Sequence, residues 1–437
     1  MKLEISNAAG WPTARLDELC ALVSRGSAPV YVEESPVLAI GQRCVTASGF
    51  DGGKARPHSR AAMRGALTPV EGDVLLNSTG TGTIGRSCVF RESGRFIVDG
   101  HVTLLRPQVA RLDGRWLSAL LGSPAGQRHL ERFCFSGSTN QVELNGRQLR
   151  STEIPVPAIR EQHTVGDLLD ALDTTIHQTE AIIEKLKRVK QGLLHDLLTR
   201  GIDDNGELRP PQYEAPHLYK RAPLGWTPVA WDAGRVSAWL EGRPKNGYSP
   251  QPAGRWTGIQ MLGLGCLTAS GFEPRQLKDA PATDQLVGKA LLTPGDLLMS
   301  RANTRELVGM VGRYHDVGTP CCYPDLMMRL TPTSGTTAAF LELLLRSPDV
   351  RRQVQASASG TSGSMVKISS STVLNLHIAM PSLAEQRRIL QCLEASDSSY
   401  DFETGVLHKL RELKLGLMDD LLTGRVRVTP LLASLDV

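Results

Sequence analysis

Several common chemistries are missing from this chain. Its eight cysteines form no Cys-x-x-Cys pair, and its ten histidines show no His-x-x-x-His spacing, so a structural zinc is not expected. No apolar run approaches the ~18 residues of a membrane span. The opening Met1–Gly10 stretch lacks the apolar core of a secretory signal, so a cytoplasmic location is expected. Scattered cysteines in such a protein do not make a disulfide framework. Cys44 and Cys266, which occupy equivalent places, are expected to be small core residues. There is no Gly-x-x-x-x-Gly-Lys-Ser/Thr phosphate loop and no acidic cluster of the nuclease kind.

What the chain does have is itself, twice. Lys185–Gly201 reads KLKRVKQGLLHDLLTRG and Lys409–Arg425 reads KLRELKLGLMDDLLTGR. At an offset of 224, Lys190 meets Lys414 and Asp196-Leu197-Leu198-Thr199 meets Asp420-Leu421-Leu422-Thr423. Upstream, Glu161-Gln162 matches Glu385-Gln386, and Ile154–Pro157 matches Ile378–Pro381. Cys44–Phe50 returns as Cys266–Phe272, and the Gly72-Asp73 element returns as Gly295-Asp296, each preceded by Leu-Thr-Pro. Gly10-Trp11-Pro12 finds an echo in Gly225-Trp226-Thr227-Pro228. A period this long is not a solenoid; it describes two copies of one module, each a globular part followed by a long helix.

The copies differ where loops are expected. After the Gly-Asp element the first reads NSTGTGTIGRS and the second SRANTRELVGM, and Arg56, Arg60 and Arg64 align near Lys278, Ala282 and Leu286. The framework is kept while polar loops diverge, as two readers of two targets on one scaffold would require. At 437 residues, 41% hydrophobic and 22% charged, the chain exceeds one ordinary core. Net charge divides unevenly: residues 1–160 carry +5 and 201–382 carry +3, whereas 161–200 and 383–437 each carry −2. The positive charge thus lies on the globular parts, where phosphate contacts would be needed.

The helical segments show a narrow apolar seam with steps of three and four, the coiled-coil pattern. In the first copy it runs through Leu169, Leu172, Ile176, Ile183, Leu186, Leu193 and Leu197, with Thr179 and Lys190 filling the polar positions. In the second it runs through Leu393, Tyr400, Leu407, Leu410, Leu417 and Leu421, with Glu403 and Lys414 interrupting. Lys190 and Lys414 share one seam position, which reads either as a register device or as stems whose ammonium groups reach outward to water. Each helix, at nearly 40 residues, would be roughly 55 Å long. Antiparallel pairing of the two would turn the tandem repeat into an arrangement with approximate two-fold symmetry. The DNA major groove returns to one face every ~34–36 Å, so the two lengths are commensurate.

With these motifs in hand, the chain resembles the DNA-specificity (S) subunit of type I restriction-modification systems. The carriers are the Gly-Trp opening with its proline, the Leu-Thr-Pro stretch leading to Gly-Asp, the Ile-Pro-x-Pro-like segment leading to Glu-Gln, and the Lys-Leu-x-x-x-Lys-x-Gly-Leu helix end, in duplicated order over about residues 10–427. The resemblance implies an α+β fold with two globular target-recognition domains in tandem repeat, separated by two long antiparallel coiled-coil helices. The expected boundaries are 1–160 and 223–382 for the domains, 161–200 and 383–425 for the helices, 201–222 for a linker rich in proline and charge, and 426–437 for a tail. It further implies that each domain reads half of a split DNA site, and that two methyltransferase subunits bind, the Leu193/Leu197 and Leu417/Leu421 ends being the docking candidates. ATP-dependent restriction subunits would join a larger complex. No catalytic centre is expected on this chain, which has no Asn-Pro-Pro-Tyr-like tetrapeptide; S-adenosylmethionine, ATP and magnesium would belong to the partners.

Base edges are read by Arg or Lys at guanine and by Asn or Gln at adenine, while other basic and hydroxyl groups hold phosphates. The first-domain candidates are Arg43, Lys54, Arg56, Arg60, Arg64, Thr81, Asn140 and Gln141. The second-domain candidates are Arg243, Lys245, Arg275, Arg301, Asn303, Arg305 and Ser364. Strands are expected at Val74–Asn77, Ser87–Phe90, Phe96–Asp99 and Val102–Arg106, with helices near Leu16–Val23 and Trp116–Leu121. Two other readings are open: a coiled-coil protein adaptor, and a nucleotide enzyme built on Gly80-Thr81-Gly82-Thr83-Ile84-Gly85. The second is weak, because a strand-like stretch follows that motif where a dinucleotide site needs a helix.

Overall fold

The computed structural model describes residues 2–3, 5–137, 142–360 and 365–430. The chain divides into two compact units, Met1–Glu184 with Phe402–Val437, and Lys185–Asp401. The division cuts both long helices, Ile159–Thr199 and Leu383–Thr423, at mid-length. Each unit therefore owns the beginning of one helix and the end of the other.

In the first unit a four-stranded antiparallel sheet runs in the order Cys20–Arg25, Val102–Pro107, Val74–Asn77, Ser87–Val89. A three-stranded sheet orders Arg56–Pro57, Val37–Ile40 and Arg95–Val98, the last pair parallel. Val74–Asn77 is buried at all four residues, so this central strand carries no polar alternation. The helix Gly114–Gly122 starts on Asp113, whose side chain accepts from Arg115 N. The expected helix near Leu16–Val23 is only half right. It stops at Leu19, and Cys20–Arg25 becomes a strand. Pairing with Val102–Pro107 outweighs the weak helical propensity of Cys20 and Val23.

The second unit repeats this topology. Its four-stranded sheet orders Lys245–Asn246, Met327–Leu330, Leu297–Ser300 and Val311–Arg313, and its three-stranded sheet Leu277–Asp279, Gln260–Leu262 and Cys321–Cys322. The Gly-Asp elements are turns of one design. Gly72 and Gly295 take φ of 89° and 99°, where only glycine is unstrained. Asp73 and Asp296 each accept a backbone N–H at 2.8 and 2.9 Å and pair with Arg106 and Arg329 on the neighbouring strand. Cys44 and Cys266 are fully buried core residues, as expected.

Within each unit the two long helices run antiparallel. In the first, Asp173 pairs with Lys414 and Glu180 with Arg411; in the second, Lys190 pairs with Asp397 and Ile202 N donates to Glu385. The seam positions face inward: Leu169, Ile176, Ile183, Leu197, Leu393 and Leu421 are buried, and Leu172, Leu186, Leu193, Tyr400, Leu407, Leu410 and Leu417 are half-buried. Full burial of a Leu or Ile side chain stabilises by roughly 1.5–3 kcal/mol.

The Glu-Gln motif is a pair of latches at the start of each long helix. Gln162 accepts from Asp113 N and donates to the carbonyls of Arg111 and Pro157. Gln386 accepts from Thr337 N and donates to Gly335 and Pro381. Beside them Glu161 takes both arms of Arg427, and Glu385 takes Arg209, Trp231 Nε1 and Ile202 N. The other long helix ends there on a left-handed glycine, Gly424 or Gly201, where a Cβ would overlap Trp11 or Trp231. The linker is held as well, through Arg209 and through Tyr219, whose hydroxyl donates to Pro210 O. The hairpin Tyr219–Ala222/Gly225–Pro228 runs across the expected boundary at 222.

One repeat alignment needs correcting. Thr13–Arg15 pairs with Glu153–Pro155 as Ala233–Arg235 pairs with His377–Ala379. The partner of Trp11 is therefore Trp231, not Trp226. Trp11 and Trp231 are 7% and 1% exposed, whereas Trp226 is 44% exposed on a hairpin.

Candidate nucleic-acid interface

In the first unit the central strand ends on Asn77, whose buried carboxamide donates to the carbonyls of Gln42, Val45 and Thr83 at 3.1, 3.4 and 3.2 Å. Those bonds seat the loop Ser78–Gly85 on the turn Gln42–Cys44. Gly80, Gly82 and Gly85 all have positive φ, and a Cβ on Gly80 would overlap Gln42 Oε1. The glycine pattern thus serves a close backbone approach. A strand, Ser87–Val89, follows and pairs back onto Val74–Leu76, so the helix that a dinucleotide site requires is not there.

Around this loop the surface is polar. Thr79 Oγ1 bonds His101 Nδ1 at 2.8 Å, Arg25 pairs with Glu143 at 2.8 Å, and Leu144 N donates to Ser78 O. Thr81 stands exposed on the loop and Arg43 on the adjoining turn. The basic candidates are exposed, with differing local partners. Lys54 pairs with Asp51 at 2.9 Å, which holds the Asp51 carboxyl below its ordinary range. The Arg56 guanidinium lies 3.6 Å from the centre of the Tyr31 ring. Arg60 and Arg64 flank a short 3-10 turn at Arg60–Met63. Beneath them Asp99 is buried and accepts from His101 N at 2.7 Å; burial pushes its carboxyl above the usual range. Burial, and then Asp99, raises the Tyr31 phenol, which stays neutral. Asn140 and Gln141 lie outside the described residues.

The second unit builds the same place from other side chains. Ser300 stands where Asn77 stood, and the following Ala302–Asn303 pairs with Val366–Lys367. Arg301 is half-buried; its backbone bonds Leu326 and Ile368, and among the described residues its side chain has no carboxylate partner. Ser370 Oγ donates to Pro244 O, which brings exposed Arg243 and Lys245 to the same strand end. Arg243, Lys245, Arg301 and Asn303 therefore gather, joined by exposed Lys367, which sequence reasoning missed. Arg305 and Arg275 do not join them. The Arg305 guanidinium donates to Gln355 O at 2.9 Å, and Arg275 is held by Glu273. Ser364 lies outside the described residues. In the first unit Gln42, Tyr31 and His101 were missed; only the position of Gln42, next to Arg43 and the repeated Cys-x-Thr-Ala-Ser-Gly-Phe stretch, could have pointed to it.

Among the described residues there is no His/Cys/Asp/Glu group suited to a metal ion, and no helix is long and apolar enough to cross a membrane. Two kept latches, two kept Gly-Asp turns and two divergent loops in equivalent places describe one scaffold carrying two unlike surfaces. The family model of the type I restriction modification DNA specificity domain matches residues 59–188. The chain is similar to type I specificity subunits. It is 23% identical over 247 residues to the EcoKI specificity subunit of Escherichia coli K12, covering 55% of this chain and 50% of that protein. It is 24% identical over 163 residues to the putative MjaX specificity subunit of Methanocaldococcus jannaschii, covering 37% and 36%. A third relative, the MjaVIII specificity subunit of the same organism, is 23% identical over 301 residues, covering 66% of each. The match thus spans between about a third and two thirds of the length of these curated relatives.

Solved structures of the family share the fold. A chain from work on complex assembly and conformational transition of the type I R-M system aligns with TM-score 0.58 and 17% identity, covering 95% of this chain and 98% of that one. The S subunit from M. genitalium aligns with TM-score 0.53 and 14% identity, covering 94% and 96%. The HsdS subunit from Thermoanaerobacter tengcongensis aligns with TM-score 0.50 and 16% identity, covering 95% and 97%.

Proposed function

We propose that this chain is the non-catalytic DNA-recognition subunit of a type I restriction-modification complex. Each unit reads one half of a bipartite duplex site, and the paired helices set the allowed spacing. The observation that carries this reading is the contrast between Gln162/Gln386, repeated bond for bond, and the loops Ser78–Gly85 and Arg301–Gly309, which share a place but not their chemistry. A protein adaptor would have no need of two positively charged, divergent faces on one framework. Methyltransferase subunits are the partners in this reading, with S-adenosylmethionine, ATP and magnesium residing on partner subunits.

Burial alters where those subunits would dock. Leu197 and Leu421 are enclosed in their own units, so the helix ends first singled out offer little surface. Exposed apolar positions on the long helices are Leu168, Ile182, Phe402, Leu413 and Leu415 in the first unit and Val189 in the second, and docking is assigned to these.

The test is to sequence modified adenines in cells carrying this chain and its methyltransferase partner. A single split motif is expected, and swapping residues 78–85 for another loop should change one half of it. Modification without a split motif, or a change in both halves, refutes the reading. Adding one heptad to each long helix keeps the seam in phase and is expected to lengthen the spacer.

A further inference from the structure

Both units place an exposed aromatic ring in the same loop of the fold. In the first unit the loop after Cys20–Arg25 runs along the edge strand Arg56–Pro57, with Val32 N donating to Pro57 O. Tyr31 projects from it, 40% exposed, with Arg56 stacked on its face. In the second unit the loop after Lys245–Asn246 runs along Leu277–Asp279, with Ala253 N donating to Asp279 O. Trp256 projects from that loop, 58% exposed. Lys278, the sequence counterpart of Arg56, stands exposed on the edge strand. Among the described residues Arg56 and Lys278 have no carboxylate partner.

These loops adjoin the reading surfaces. Gly41, next to Gln42, packs on the Asp99 carboxylate that also faces Tyr31. Ser249 bonds Asp325, one residue before the Leu326 carbonyl that holds Arg301 N. The reading loops themselves differ completely between the units, yet each unit keeps an exposed aromatic ring in this loop and an exposed cation on the edge strand along which the loop runs. A feature kept where the targets differ does not read the target. An exposed aromatic ring beside a cation without a carboxylate partner suits the apolar surface of a deoxyribose and the phosphate of a DNA strand, whose contacts position a protein without specifying sequence.

Resting on the DNA-recognition reading above, we propose that Tyr31/Arg56 and Trp256/Lys278 are two clamps, one in each unit, on the sugar–phosphate backbone of duplex DNA, acting on any sequence. Fluorescent duplexes carrying the site, a half-site variant or a scrambled sequence are titrated with the full chain in its native complex, at several salt concentrations. The variants are Tyr31→Ala, Trp256→Ala, Arg56→Gln and Lys278→Gln. Each is expected to weaken binding to all three duplexes by a common factor. The two cation variants should also reduce the slope of log affinity against log salt by about 1 each. Loss confined to duplexes altered in one half-site overturns the proposal by making these residues base readers, and unchanged affinity on every duplex overturns it outright. If the unsubstituted complex itself shows neither site preference nor salt dependence, the failure is that of the recognition reading. Unchanged melting curves separate lost contacts from misfolding.

Discussion

Lys190 on the first long helix is paired with Asp397 on the second, and Lys414 is paired with Asp173. Both members of one pair stand 224 residues from the members of the other, so one cross-helix bridge has been written twice. Of the two sequence readings of these seam lysines, the cross-helix pairing supports the register device. All four side chains keep partial access to water, so each bridge contributes only about 0.2–1 kcal/mol. Its effect lies in rejecting wrong registers.

Reversing one charge tests this. Lys190→Glu should destabilise the protein by setting Glu against Asp397, and Lys190→Glu with Asp397→Lys should recover most of the loss. Denaturant titration of the four-member cycle is expected to give a coupling of roughly 0.5–1 kcal/mol. A coupling near zero would leave the lysines with no register role.

Glu385 and Glu161 hold equivalent places but differ in stakes. Glu385 faces Arg209, whose side chain is 13% exposed, and also satisfies Trp231 and Ile202 N. Glu161 faces Arg427, which is 42% exposed. Glu385→Ala strands a buried cation and two donors and should cost about 3–5 kcal/mol. Glu161→Ala leaves its arginine to water and should cost roughly 1–3 kcal/mol. Equal losses in equilibrium unfolding would contradict the difference in burial.

Arg301 and Arg305 should separate. Arg301→Ala is expected to weaken binding by about 1–3 kcal/mol on one half-site only, with little change in melting. Arg305→Ala removes a bond to Gln355 O and should lower stability by about 0.5–1.5 kcal/mol while leaving the half-site preference intact. Competition with half-site variants, alongside thermal melts, distinguishes them.

Asp99 sets a pH dependence. Its carboxyl is raised in the folded protein, by burial first, against about 3.9 when unfolded. Below that value both states are protonated and Asp99 has no effect. As pH rises toward the folded value, the unfolded state loses its proton first and stability falls, then levels off. Asp99→Asn abolishes this loss and can still accept from His101 N. The stability gap between variant and parent should therefore open above about pH 4 and then stay constant; a gap independent of pH would count against it.

The sequence carried the repeat, the seam and the strands around Val74–Asn77, because each follows from periodicity or from a run of apolar residues. It misplaced Trp11 against Trp226, since a shared Gly-Trp pair with a proline close behind outweighed strand register, which only pairing reveals. It lengthened the helix at Leu16 because local propensity carries no information about a distant partner such as Val102–Pro107. Among candidate readers, Arg301 and Asn303 were chosen by residue type, and the structure places them on adjoining positions of one strand end. That Arg305 is diverted to Gln355, and that Lys367 joins the group, depends on chain crossings that no spacing encodes.

The second unit is one unbroken stretch, Lys185–Asp401, whereas the first closes only with Phe402–Val437. On the ribosome, the usual order of domain completion is therefore reversed. The first half of the message yields a body without its last supports, Leu421, Leu422 and Val428, which are buried in its core. The body encoded later can be finished earlier. A stop codon placed near residue 402 should therefore damage the amino-terminal body and spare the one beside the truncation.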